Sequence, residues 1–294
     1  MKRSRVNEII RQTEKLLSDN GYVLPPFLNW TPEEWQEKGH ECDEIRDNAL
    51  GWDVTDFGTG DFDHIGLTAV TLRNGNQKDP ARYPKPYAEK YLVAREGQHT
   101  PMHFHTYKME DIINRGGGIL VMQLYCANEK DELDLEKPVE IVSDGVKLTL
   151  PAGGILELKK GQSVTYTQRL YHEFWGKEGC GDVLIGEVSM CNDDDTDNHF
   201  LSVPGRFPAI EEDEAPYRLL CKEYHVHVLN GGMADVEELN HSQREIYGYA
   251  SSNFLSVEGM DDAAQNAMAI YFKLLDRRNY AFGGLHHRFS YDTG

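Results

Sequence analysis

The sequence predicts a mainly β protein, a sandwich or barrel with helices at both ends. Three observations carry this. Between about residues 50 and 200 the chain breaks into short β-rich runs. Turn signals such as Asp144-Gly145 and Ala152-Gly153-Gly154 punctuate them too closely for intervening helices, which argues against a parallel α/β sheet. Helical periodicity appears only before and after this stretch.

In chain order, residues 3–18 place Val6, Ile9, Ile10, Leu16 and Leu17 at helical spacing with a polar far side. Thr31-Pro32-Glu33-Glu34 reads as a helix start, with Thr as N-cap, Pro in the first position and Glu three residues after the cap. The first 50 residues are therefore expected to be two helices joined by Pro25-Pro26. Strands are expected at 67–72, 90–94, 119–127, 139–142, 147–150, 155–158, 163–168 and 183–190, with Asn74-Gly75 among the turns. An acidic run, Glu211-Glu212-Asp213-Glu214, follows. Helical patterns return at 235–249 and, more strongly, in the stripe Met260, Ala264, Ala267, Met268, Tyr271, Leu274 and Leu275, closed by Gly283-Gly284. The expected organisation is an N-terminal helical segment, 1–50, packed on the barrel; a barrel with its acidic tail, 51–228; and a C-terminal helical extension, 229–294, that packs on the barrel or on a neighbouring subunit.

Composition narrows the function. Of 294 residues, 39% are hydrophobic and 10% aromatic, enough for a sizeable core. The 30 basic and 49 acidic residues leave a net charge of -19, a field that repels phosphate backbones and anionic lipid. Neither nucleic acid nor membrane is an expected partner, and no run of about 18 apolar residues could span a bilayer. Five cysteines without a CxxC pair suit a reducing compartment, and no signal-peptide core is present, so a cytoplasmic protein is expected.

The segment from Gly97 to Gly117 carries the chemistry. On a strand His103 and His105 point to one face. Glu110 follows after a span long enough for a turn and can return on a neighbouring strand. His172 offers a third imidazole. Three neutral imidazoles and one carboxylate suit a divalent metal (Mn, Fe, Co, Ni or Zn), and six-coordination would leave two positions open for substrate. An isolated HxH is ordinarily a pair of surface histidines. Here the whole pattern Gly-x5-His-x-His-x4-Glu-x6-Gly is met, and it resembles the first motif of the cupin superfamily. The second motif is looser. Gly161 and His172 are kept, while its usual Pro, Gly and Asn are Thr167, Arg169 and Gly176. The resemblance implies a double-stranded β-helix, a jelly-roll barrel.

A narrower likeness follows. Leu50-Gly-Trp-Asp-Val-Thr-Asp-Phe-Gly58, Tyr87-Ala-Glu-Lys90, Thr100-Pro-Met-His-Phe-His105, Glu110-Asp-Ile-Ile-Asn-Arg-Gly-Gly-Gly118, Leu170-Tyr-His-Glu-Phe-Trp175, Gly186-Glu-Val-Ser189 and the run Asn192 to Leu201 resemble the bacterial D-lyxose isomerase family. The likeness covers about residues 1–225. It implies a manganese-dependent aldose–ketose isomerase, commonly a homodimer, that interconverts D-lyxose and D-xylulose, with D-mannose and D-fructose as related substrates. It implies His103, His105, Glu110 and His172 as metal ligands, and Lys90, Glu187 and Asp193 as residues of the sugar pocket.

The residues fit that chemistry. Aldose isomerisation moves one proton between carbons and another between oxygens. A divalent cation stabilises the enediolate, and a carboxylate shuttles the carbon-bound proton. Glu187 is a charge within an apolar strand, and Lys90 could steady a sugar oxygen. The acidic run containing Asp193 follows the Glu187 strand and could reach over a barrel mouth. Glu173, beside His172, should face away. Trp52 and Trp175 read as core, and His225 with His227 as structural. Three rivals share the scaffold. An iron cupin dioxygenase would want an apolar pocket. A non-catalytic sugar-binding cupin often loses ligands that this chain keeps. A phosphosugar isomerase needs a dense cationic cluster, for which Lys90, Arg115 and Lys108 are the sole candidates, so a neutral sugar is favoured.

Overall fold

The computed structural model describes residues 1–224 except 204 and 208. The expected helices at 235–249 and 260–275, and the pairs His225/His227 and His286-His287, lie outside the described residues. Helices α1 (Arg3–Asp19), α2 (Pro32–Gln36) and α3 (Asp43–Asp47) come first. The strands follow as β1 (Gly51–Thr55), β2 (Leu67–Arg73), β3 (Tyr87–Ala94), β4 (His99–His105), β5 (Glu110–Gly117), β6 (Leu120–Ala127) and β7 (Leu133–Asp134). The rest are β8 (Val139–Ser143), β9 (Val146–Leu150), β10 (Gly154–Leu158), β11 (Ser163–Tyr166), β12 (Leu170–Gly176), β13 (Val183–Met190) and β14 (Asn198–Phe200). They form two antiparallel sheets, in the orders β1-β2-β3-β13-β5-β11-β8-β9 and β10-β6-β12-β4-β14, with β7 on β6. This is the expected cupin-type jelly roll.

The core lies between the sheets. Ala69, Leu92, Ile112, Val164 and Ile185 of the larger sheet meet Met122, Leu124, Leu170 and Phe174 of the smaller. Helix α1 covers the outer face of the larger sheet, packing Val6, Ile9, Ile10 and Leu17 against Val70, Leu72, Val93 and Leu184. Six consecutive residues of β2 are therefore buried, since both faces of that strand are covered. Helix α1 has no side-chain N-cap and no acidic residue in its first turn. The acidic run supplies both functions from 209 residues further along the chain. Ser4 N–H donates to Asp213 Oδ1 at 2.9 Å, Arg3 Nε donates to Glu212 Oε2 at 2.8 Å, and Asn7 Nδ2 donates to Glu214 Oε1 at 2.8 Å. Carboxylates at a helix N-terminus also meet its positive dipole end.

Two expectations need correction. The helix that starts at Thr31 has the expected capping box, with Glu34 N–H on Thr31 Oγ1 at 3.2 Å and Thr31 N–H on Glu34 Oε2 at 2.8 Å. It nevertheless ends at Gln36. The Arg46 guanidinium takes the carbonyls of Gly39 and Lys38, at 2.8 and 2.6 Å, and folds the chain back into the separate short α3. Asn74-Gly75 is not an exposed turn. Asn74 is buried and donates to the carbonyls of Asn48 and Asn192 at 3.2 and 3.0 Å, and a Cβ on Gly75 would collide with the Lys85 carbonyl.

Replacing Ile10 by Ala removes three carbons from the α1–sheet contact and should cost ~2–5 kcal/mol of stability in urea unfolding. Val23→Ala, at a side chain 91% exposed, should change it by less than ~0.5 kcal/mol.

Candidate active site

Strand register builds the site. His103 on β4 stands directly opposite His172 on β12, and His105 follows two residues on, so three imidazoles enter the barrel from the smaller sheet. Their ligand atoms lie within 4.8 Å of one another, and this trio can hold a metal ion. The larger sheet faces them. Glu187 on β13 stands opposite Lys90 on β3, and Glu110 on β5 stands opposite Ser189 on β13. All six charged or imidazole side chains are buried.

Two ring orientations are fixed by the backbone. His103 Nδ1 lies 2.7 Å from the Pro101 carbonyl and His172 Nδ1 lies 3.0 Å from that of Leu170. Only a protonated nitrogen can face a carbonyl, so each neutral ring turns an Nε2 lone pair into the cavity. Glu110 Oε1 lies 3.5 Å from His172 Nε2 and 3.3 Å from His105 Nε2. At His172 two acceptors thus face each other away from water, a contact that calls for a cation between them. Both separations approach the ~3 Å edge of an octahedron with ~2.1 Å bonds. Three imidazoles and a carboxylate are a donor set for a first-row divalent ion, so the residues present fit such a metal.

Electrostatics prepares these groups. Burial holds His103 well below the ordinary imidazole value, helped by His172 and His105, and pushes His172 down to about 4. Burial alone would raise the Glu110 carboxyl, but the Lys108 ammonium and His105 hold it well below the usual range. From sequence, Lys108 is only a candidate cation for a sugar phosphate. Its ammonium in fact lies 2.5 Å from Glu110 Oε2 and 2.9 Å from Glu187 Oε1, buried between the two carboxylates, which outweigh desolvation and raise its pKa. Lys90 Nζ lies 3.6 Å from Glu187 Oε1 and donates to Asn192 Oδ1 at 2.5 Å. Ser189 Oγ donates to Glu187 Oε1 at 3.2 Å.

Lys90, His103, His105, Glu110, His172 and Glu187 all line one cavity. Asp193 does not. Its carboxylate accepts from Thr196 Oγ1 at 2.7 Å and pairs with Lys78 at 3.1 Å, facing away from the cavity. The next residue, Asp194, lines the wall instead, 3.9 Å from Arg206. Burial would raise the Asp194 carboxyl, but Lys90, Arg206 and Lys108 hold it far below the usual range. Arg206 is also paired with Asp53. Arg115 lies on the other face of β5, against Gly186, and brings no charge inside. Glu173 faces outward as expected, 2.6 Å from His99 Nδ1, and Trp175 stacks on that ring rather than entering the core. Trp52 is core, its Nε1–H on the Leu28 carbonyl at 2.9 Å. Phe57 and Phe200 close one end of the cavity, ring centroids 5.5 Å apart, and Phe200 stacks on His103. Phe57 holds this place with a left-handed backbone, φ 53°, and its N–H donates to Thr55 Oγ1 at 2.9 Å. No spacing rule announces such a residue.

The family model described as D-lyxose isomerase matches residues 1–224. The D-lyxose/D-mannose isomerase of Serratia proteamaculans is 50% identical over 225 residues, 76% of this chain and 98% of that protein. The protein of the same name from Escherichia coli O157:H7 is 46% identical over the same shares. A solved L-ribose isomerase of Cellulomonas parahominis is a distant likeness, with a TM-score of 0.48 and 16% identity over 72% of this chain and 98% of that one.

The buried imidazoles make the metal-free protein sensitive to mild acid. The folded-state values of His103 and His172 lie below the unfolded one, so the unfolded chain binds protons first and stability is lost as pH falls from 6.5 towards about 4. Urea unfolding of metal-free protein across this window should show that loss, and His172→Gln should flatten it.

Proposed function

The chain belongs to the D-lyxose isomerase family and is a sugar isomerase of the aldose–ketose type; on that premise we propose that it interconverts D-lyxose and D-xylulose, and D-mannose and D-fructose, by metal-dependent proton transfer. The facing acceptors Glu110 Oε1 and His172 Nε2 are the observation that supports metal dependence. In this reading His103, His105, Glu110 and His172 hold the ion, with manganese our choice among the divalent metals. When bound, the ion supplies Lewis-acid polarisation to the sugar's carbonyl and adjacent hydroxyl.

The chain's own groups do the rest. Glu187 is the carboxylate that moves the proton between C1 and C2. Its Oε1 is held by Lys108 and Ser189, which leaves Oε2 for the substrate. Lys90 and Lys108 donate to sugar oxygens and offset negative charge that develops during proton transfer. Asp194, in place of the expected Asp193, accepts from hydroxyls at the far end, and Arg206 orients it. A neutral sugar is supported by charge balance. Among the lining residues Lys90, Lys108 and Arg206 are matched by Glu110, Glu187 and Asp194, so no cation is free for a phosphate. The same polar wall argues against an apolar dioxygenase substrate.

Reconstitution of metal-free enzyme with Mn2+, followed by assay on lyxose, mannose, xylose and a sugar phosphate, tests the reading. Turnover of the first two is expected, with solvent deuterium entering at C2. Oxygen uptake without isomerisation would overturn it. His103→Ala or His172→Ala should lose bound manganese and turnover together. Glu187→Gln should keep the metal while kcat falls by ~10²–10⁴-fold; undiminished kcat would remove Glu187 from the proton transfer.

A further inference from the structure

Of the three imidazoles, His105 alone has no fixed outer nitrogen. His103 and His172 each donate from Nδ1 to a backbone carbonyl, whereas His105 Nδ1 is buried without a hydrogen-bond partner. The group that faces it is Asp197, whose Oδ2 lies 3.9 Å away. Asp197 is itself buried and belongs to the segment that follows β13 across the cavity. Its Oδ1 accepts from Tyr107 N–H at 2.6 Å and its Oδ2 from Lys108 N–H at 3.1 Å. In return Thr106 N–H donates to the Asp197 carbonyl at 3.1 Å. The turn between β4 and β5 is therefore built around one carboxylate. That turn joins His105 to Glu110 and carries Lys108 between them.

We propose that Asp197 is a positioning residue that orients His105 as a metal ligand and fixes the backbone of Lys108, so that the segment carrying Asp194 is coupled to the metal centre. The proposal rests on the metal-dependent reading of the site. A carboxylate facing Nδ1 selects the tautomer with hydrogen on that nitrogen and leaves the Nε2 lone pair inward, as the two carbonyls do for the other rings. Backbone anchoring at Tyr107 and Lys108 alone would be purely structural and would act on stability without touching the ring.

The two roles separate in metal-free and metal-loaded protein. Chelator competition with Mn2+ should show Asp197→Asn weakened by 10–100-fold, the usual range for loss of an outer-sphere carboxylate. Asp195→Asn, which removes an exposed contact with Lys222, should bind as wild type does. Nitrogen-15 spectra of metal-free protein, in which Glu110 competes for Nε2 at 3.3 Å, should find the Nδ1–H tautomer of His105 populated in wild type and depleted in Asp197→Asn. Asp197→Ser can still accept from a backbone N–H but is too short to reach the ring. It repeats both measurements should the amide variant fail to fold, with the same losses expected. Wild-type manganese affinity and an unchanged tautomer in either folded variant would overturn the proposal, even with a lowered melting temperature. Failure of wild-type protein to bind Mn2+ would instead overturn the metal reading, and the proposal with it.

Discussion

A buried lone pair must have a partner, and here two face each other across the cavity. His172 Nε2 and Glu110 Oε1 lie 3.5 Å apart in a space that water scarcely reaches. Most of the architecture serves that confrontation. The carbonyls of Pro101 and Leu170 turn the rings, and the pairing of β4 with β12 sets His103 against His172. Burial keeps the imidazoles of His103 and His172 neutral, so that they remain donors of electron pairs rather than of protons. The opposing sheet presents the carboxylate from β5 at a height set by its pairing with β13.

The second constraint is electrical. A barrel interior cannot hold isolated charges, so every ion in this cavity is matched. Lys108 is the hub of that balance. It bridges Glu110, beside the imidazole trio, and Glu187, beside Lys90, so the two halves of the cavity share one ammonium. The site is in this sense a single network, and changes at either carboxylate will be felt at the other.

Much of this was legible in the sequence, and the illegible parts have physical causes. The period of two placed His103 and His105 on one face, and β13 appeared with its observed bounds because its mostly apolar run is flanked by Gly181-Asp182 and Asn192-Asp193. Glu187 stood out there as a charge with no obvious reason to be present. The juxtaposition of His172 with His103 came only with the family resemblance, because periodicity does not fix the register between strands nearly seventy residues apart. Asp193 rather than Asp194 came only from the family resemblance, because a run of aspartates carries no phase of its own. The side chain of Asp193 accepts from Asp195 N–H and Thr196 Oγ1, forming a tight turn that reverses which acid faces inward. Lys108 was underrated because it lies in a turn, where lysines are ordinarily solvated. Asn74-Gly75 misled for the opposite reason: a good turn dipeptide was buried by contacts from distant segments.

The trans-capping of α1 bears on how the chain is made. The helix begins at Arg3, yet its acidic partners sit at residues 212–214, so Arg3 and Glu212 are separated by 209 positions. On a ribosome the earliest residues to emerge lack the groups that complete their first turn until almost the whole jelly roll has been synthesised. The apolar stripe of α1 likewise waits for β13, the last strand of the sheet it covers. Helix docking is thereby deferred until the jelly roll is nearly complete, and until then the apolar stripe of α1 has no sheet face to cover.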